Sequence, residues 1–173
     1  NWIEAIREGK TVISRLGDKE FLDLKVNGDQ LPGASIQFAE KQKVNIEVTW
    51  NAADNAKGEI EILCNGKVIA HAAGGAATPG KPLVLKTSMV VDKSSWIAAR
   101  RVSGNEYHTH TSPVYVYIGG ENIMADKEDA LYFVRWIDNI LTNIADGGKW
   151  KSFFPETLDK VRIHYQQARD YYA

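Results

Sequence analysis

Four apolar residues, Val44, Ile46, Val48 and Trp50, are separated one by one by Asn45, Glu47 and Thr49. This alternation sends every second side chain to the same face, which only an extended strand with one buried and one solvated face satisfies. Leu22, Leu24 and Val26 repeat the pattern around Asp23 and Lys25, and Ile60, Ile62 and Cys64 repeat it beside Glu59 and Glu61. Asn65-Gly66 stands between Cys64 and Lys67-Val68-Ile69, the signature of a two-residue hairpin turn. Asn27-Gly28 and Pro32-Gly33 mark a further turn, and Leu83 to Val91, Trp96 to Arg101 and Pro113 to Ile118 read as further strands. Ala72 to Pro82, small and glycine-rich, reads as a loop or sheet crossover. About seven or eight half-buried strands predict an antiparallel, immunoglobulin-like β-sandwich.

The period changes near Asp126. Ala130, Val134, Ile137, Leu141 and Ile144 step by four and three, and Phe133, Trp136 and Ile140 widen the stripe. That spacing predicts an amphipathic helix, with Asp126 as its cap and Gly147-Gly148 at its end. Pro155 suits the first turn of a second helix carrying Leu158, Val161, Tyr165, Ala168 and Tyr172 on one side. A pair of C-terminal helices packed on the sandwich is expected, because so broad an apolar face needs cover. The organisation predicted is residues 1–10 as the tail of a preceding domain, 11–124 as the sandwich and 125–173 as the helical hairpin. In the first segment Trp2, Ile3 and Ile6 lie on one side of a short helix stopped by Gly9.

Composition excludes several classes. In 173 residues, 21 Lys and Arg face 22 Asp and Glu, so the formal charge is 21 − 22 = −1 and no electrostatic case for nucleic acid arises. No apolar run approaches the roughly 20 residues of a membrane helix, so membrane insertion is not expected. Cys64 is the single cysteine and shares the parity of Ile60 and Ile62, the mark of a small core residue rather than a reactive thiolate. Composition leaves the compartment open, with a secreted or periplasmic setting favoured.

Candidate chemistry concentrates in two stretches. His108 and His110 share one side of a strand, a geometry that suits two metal ligands. A catalytic zinc usually takes three protein ligands, and His71 and His164 come with no carboxylates arranged beside them. The expectation is therefore no metal and no cofactor in this chain, with one histidine hydrogen-bonded in or near the core. Ser112 stands near His110 without a carboxylate to orient the histidine, so no catalytic triad is read. Glu59 and Glu61 read as a solvated strand face. Trp96, Ala98 and Arg100 share a face, where the arginine is either paired with a carboxylate or carbonyl, or aimed at a ligand or neighbouring domain. If Val114, Val116 and Ile118 face the core, Tyr115 and Tyr117 lie side by side outside, able to stack on sugars or to be covered by a helix.

Taken in order, Trp2-x-Glu4-Ala5-Ile6-Arg7-x-Gly9-Lys10-Thr11, Leu24-x-Val26-Asn27-Gly28, Asn65-Gly66-Lys67-Val68-Ile69, Ser95-Trp96-Ile97-Ala98-Ala99-Arg100 and His110-Thr111-Ser112-Pro113-Val114-Tyr115-Val116 form a recognisable series. It resembles the C-terminal part of bacterial metallohydrolases of the polymerase and histidinol phosphatase (PHP) type, in the branch that includes relatives of carbaryl hydrolase. The resemblance implies a noncatalytic accessory domain. It would pack on an upstream catalytic barrel of the same polypeptide and shape its pocket. The divalent metal and the hydrolase activity would belong to that barrel. Relatives carry Asn-Gly-Pro where Ile13-Ser14-Arg15 stands here. The binding or interdomain candidates are Trp2, Trp96, Arg100, His110 and Ser112, with His108 and His110 as weak metal candidates. The other reading is a free-standing module that binds carbohydrate or a protein partner.

Overall fold

The computed structural model of the chain describes residues 1–15, 17–104, 106–124, 126–154 and 156–173, with Asp18 and Tyr107 through their backbone alone. The chain divides into two compact units, Asn1–Ile123 and Met124–Ala173.

The first unit is a β-sandwich. Its smaller sheet holds β2 (Glu20–Val26), β4 (Gln42–Ala52) and β7 (Leu83–Val91) in the order β2-β4-β7. Its larger sheet is built around β8 (Ser95–Ser103), which pairs along one edge with β5 (Ala56–Cys64), itself paired with β6 (Lys67–Ala77). Along the other edge β8 meets two segments in turn: β10 (Val114–Ile118) beside its start and β9 (Glu106–Thr111) beside its end. Outside these lie β3 (Ser35–Phe38) and β1 (Val12–Ser14). Every pairing is antiparallel except β3 with β10, which run parallel from Ser35↔Tyr115 to Phe38↔Ile118. Strands β1 and β3 are too short, at three and four residues, for a period-two signal to stand out in the sequence.

The alternation predicted from sequence is the burial observed. Leu22, Leu24, Val26, Val44, Val48 and Trp50 of one sheet meet Ile60, Ile62, Ile97, Ala99, Val114 and Val116 of the other, all fully buried in one core. Asn65 and Gly66 adopt φ 47° and 81°, the left-handed pair that a type I′ hairpin demands.

The glycine-rich stretch is a correction. Ala72 to Ala77 is not a loop; it continues β6, with Gly75 opposite Gly58 of β5. The facing pair Gly58 and Gly75 serves close approach. A Cβ on Gly58 would sit 2.7 Å from the Val102 carbonyl oxygen, and one on Gly75 would meet the Leu83 side chain at 2.2 Å. Strand propensity reads such a stretch as loop, while packing with no room for a side chain makes it strand.

At one end of the core the two sheets share a buried ion pair that the pattern analysis did not anticipate. Arg101 of β8 places Nε 2.5 Å from Oε2 of Glu20 on β2. Its Nη2 donates to Glu20 Oε1 at 3.2 Å, and its Nη1 donates to the Lys57 carbonyl at 3.2 Å. Trp50 Nε1–H donates to Glu20 Oε2 at 3.1 Å, the Thr109 hydroxyl donates to Oε1, and the guanidinium lies 5.1 Å from the Trp50 ring centroid.

The first helix, α1 (Trp2–Arg7), is capped by the Asn1 side chain, which accepts from the Ile3 and Glu4 amides. It buries none of its residues. It ends at Gly9, with φ 67°, as expected.

In the second unit, α2 (Lys127–Ile144) is capped by Asp126 as predicted, and α3 (Leu158–Tyr172) runs beside it. Pro155 lies outside the described residues. Two polar ties join the helices: Arg162 donates to the Ile144 carbonyl at 3.0 Å, and Arg169 Nε donates to Asp138 at 2.6 Å. Val134, Ile137, Ile140 and Ile144 are buried, but the aromatic edge of the stripe is not. Phe133 stacks on Tyr172 with centroids 5.2 Å apart and stays exposed, as does Trp136.

Candidate functional site

The outer face of the larger sheet carries a groove of about 610 Å³, within the range of roughly 300–1,000 Å³ typical of small-molecule clefts. Its shape follows from a break in the sheet. Pro113 has no amide hydrogen, so a ladder cannot run through it, and β9 and β10 become separate segments along β8. The Ala99 amide opposite the break donates instead to the Thr111 hydroxyl at 3.0 Å. Ala98 and Pro113, small and short, line the groove at this break.

Register lays out the walls. Glu61, Arg100, His110 and Ile13 occupy successive positions across β5, β8, β9 and β1, each aligned with the next. Leu63 aligns with Ala98, and Trp96 aligns with Tyr115. Directly opposed residues on one face have Cβ atoms about 5 Å apart, so the two aromatic side chains stand next to each other. Trp96 is held through its backbone: its amide donates to Asn65 Oδ1 at 2.9 Å and its carbonyl accepts the Asn65 amide at 3.0 Å. The type I′ turn therefore positions the groove's tryptophan.

The groove's charges are internally matched. Arg100 Nε donates to Glu61 Oε2 at 2.5 Å, with both side chains largely buried. Arg100 therefore has a carboxylate partner, one of the alternatives posed for it, on the neighbouring strand beside the groove. It also corrects the reading of Glu61 as part of a solvated face, because that carboxylate is only 14% exposed. Glu59 instead meets the His71 ring. Arg15 Nη1 reaches Glu106 Oε2 at 3.1 Å on the surface.

The histidines also differ from expectation. Thr109 and Thr111 are the buried members of β9, and His108 and His110 face outward into the groove. Both parities of this strand are polar, so alternation carried no signal. The threonines win the core because their hydroxyls are satisfied there, by Glu20 and by the Ala99 amide. His108 is 19% exposed, and its Nδ1 is buried without a hydrogen-bond partner.

The structure thus gathers Trp96, Arg100, His108 and His110 in one groove and adds Ile13, Arg15, Leu63 and Tyr115. It leaves out Ser112, whose hydroxyl pairs with that of Thr11 at 2.7 Å, and Trp2, which is 73% exposed on α1. Among the described residues no three His, Cys, Asp or Glu side chains converge as a metal site. None of the described helices is long and apolar enough to cross a membrane. Cys64 is buried, and that burial pushes its thiol pKa up, against smaller opposing effects of a Ser95 hydrogen bond and the Lys93 charge.

No protein-family model and no curated protein matches this sequence. Solved structures similar to it include the CARDB domain of the PF1109 protein from Pyrococcus furiosus, determined in complex with di-metal ions. That pair shares 13% identity over 58% of this chain and 96% of the other, with a TM-score of 0.37. The sporulation control protein Spo0M of Bacillus subtilis matches at 8% identity over 72% of this chain and 56% of its own, with a TM-score of 0.37. A lytic polysaccharide monooxygenase of Jonesia denitrificans matches at 16% identity over 51% and 61%, with a TM-score of 0.31.

Proposed function

We propose that this chain is a noncatalytic accessory domain of a PHP-type metal-dependent hydrolase. The Trp96–Tyr115 groove is its working surface, turned toward the mouth of a catalytic barrel upstream in the same polypeptide. The observation that carries the reading is the groove's composition. Aromatic and aliphatic walls enclose an arginine already neutralised by Glu61, and no ligand cluster for a metal converges among the described residues. Such a surface is suited to binding. Two of the segments that resemble the family, 95–100 and 110–116, contribute to the groove. Trp2, Ile3 and Ile6 on α1 offer a second exposed apolar strip.

The test compares residues 1–173 with the polypeptide that includes the region encoded upstream. The longer protein is expected to hydrolyse ester or phosphoester substrates with a divalent metal, and the chain alone to give no turnover. Hydrogen exchange at 96–100 and 108–115 is expected to slow in the longer protein. Metal-dependent turnover by residues 1–173 alone, or an upstream region without a His-x-His barrel, would refute the proposal. A free-standing carbohydrate- or protein-binding module is the second reading, favoured by the adjacency of Trp96 and Tyr115. It expects the groove to exchange equally fast with and without the upstream region.

A further inference from the structure

We infer that the ligand class of the Trp96–Tyr115 groove is a neutral saccharide, held by stacking a sugar ring on the aromatic pair while the histidines bond its hydroxyls. The inference rests on the groove being a binding surface, as proposed above. It comes from what the groove's chemistry rejects. An anionic ligand would need surplus positive charge, but the two arginines that line the groove are each already paired with a carboxylate beside it, Arg100 with Glu61 and Arg15 with Glu106. A purely apolar ligand would be met by Ile13, Leu63, Ala98 and Pro113 alone, and would cover the polar edges of Arg100 and His110 without offering them a partner. A pyranose ring meets both demands. Its axial C–H face is apolar and suits an indole or phenol face, and its equatorial hydroxyls both donate and accept. Trp and Tyr combine an apolar ring with a polar edge and lose little side-chain freedom on binding. The row of Arg100 and His110 then lies beside the ring as fixed donors, with the guanidinium already oriented by Glu61.

The experiment titrates residues 1–173 with cellohexaose, xylohexaose, mannohexaose and chitohexaose, with an oligogalacturonate as the charged control. Binding is followed by amide chemical shifts. At least one neutral oligosaccharide is expected to perturb residues 96–100, 108–110 and 115 together. Affinity is expected to fall about tenfold in Trp96→Ala and in Tyr115→Ala, and to stay within about threefold in Trp96→Phe. Far-UV circular dichroism and thermal melts establish that each variant folds, and the shift map of the unaltered chain decides the matter where one does not. The inference is overturned by no shift change with any neutral oligosaccharide, by shifts centred elsewhere, or by preference for the oligogalacturonate. Unchanged affinity in both alanine variants overturns it equally. Those failures leave the accessory-domain reading standing on its own turnover and exchange test. Turnover by the isolated chain would sink that reading while leaving saccharide binding measurable.

Discussion

Glu20 and Arg101 meet 2.5 Å apart between the two sheets, with side chains only 1% and 3% exposed. Each belongs to a different sheet, so the pair ties the sandwich together at one end where apolar contact alone would leave Trp50 Nε1 without a partner. Such a pair adds little net stability compared with a well-packed apolar replacement, because two ions have been desolvated. Removing one partner is another matter. Arg101→Met is expected to destabilise the sandwich by about 3–5 kcal/mol, since it strands a buried carboxylate. Glu20→Leu combined with Arg101→Met is expected to cost clearly less than the sum of the single changes. Urea denaturation of the four proteins in a double-mutant cycle measures this, and strictly additive values would show that the pair is not coupled.

The break at Pro113 leads to a second expectation. The Ala99 amide depends on the Thr111 hydroxyl, so Thr111→Val keeps the volume and removes the acceptor. A loss of about 1–3 kcal/mol is expected, and Thr111→Ser should retain most of the stability. If valine and serine prove equivalent in chemical denaturation, the hydroxyl does not carry the strand break.

Two glycines with left-handed backbones separate strain from clash. Gly33 has φ 88°, and a Cβ there would lie 2.0 Å from the Glu8 carbonyl oxygen, at the close approach between the end of α1 and the loop before β3. Gly80 has φ 73° and open space around it. Gly80→Ala should lose about 1 kcal/mol through backbone strain alone. Gly33→Ala should lose more, and should also release α1, seen as faster amide exchange at residues 4–8. Equal melting temperatures for the two variants would contradict the geometry.

In the helical unit, Lys151 donates to Asp146 at 2.7 Å and, with the nearby Arg162 charge, holds that carboxyl below the ordinary carboxylate range. A group with a lowered folded pKa stabilises the fold above its unfolded value and loses that contribution as pH falls through the lowered value. The Asp146 contribution to the stability of the 124–173 unit is therefore expected to be lost on acidification. Carboxyl NMR should give Asp146 a midpoint below that of an unperturbed aspartate, and Lys151→Ala should move it back. An Asp146 midpoint insensitive to Lys151→Ala would contradict the assignment.

The sequence by itself determined which residues of most strands face inward, because alternation at period two puts the choice in each strand's own residues. It determined the Asn65-Gly66 turn and the Asp126 cap for the same reason: the physics acts within a few residues. Only the tertiary structure decided matters that depend on partners distant along the chain. His108 and His110 turned outward because Glu20 and the Ala99 amide, from other strands, satisfy Thr109 and Thr111 in the core. Arg100 was legible as paired or ligand-seeking, but its partner Glu61 is 39 residues away and looked like part of a solvated face. Arg101 beside it is the arginine that the core encloses, and nothing local in the sequence marks it, because its partner Glu20 is on the other sheet. Gly75 of β6 reads as loop in the sequence, whereas in the fold the Leu83 side chain fills the space a side chain there would need. The groove itself is a register effect, because five strands bring its walls together and no single segment of sequence contains it.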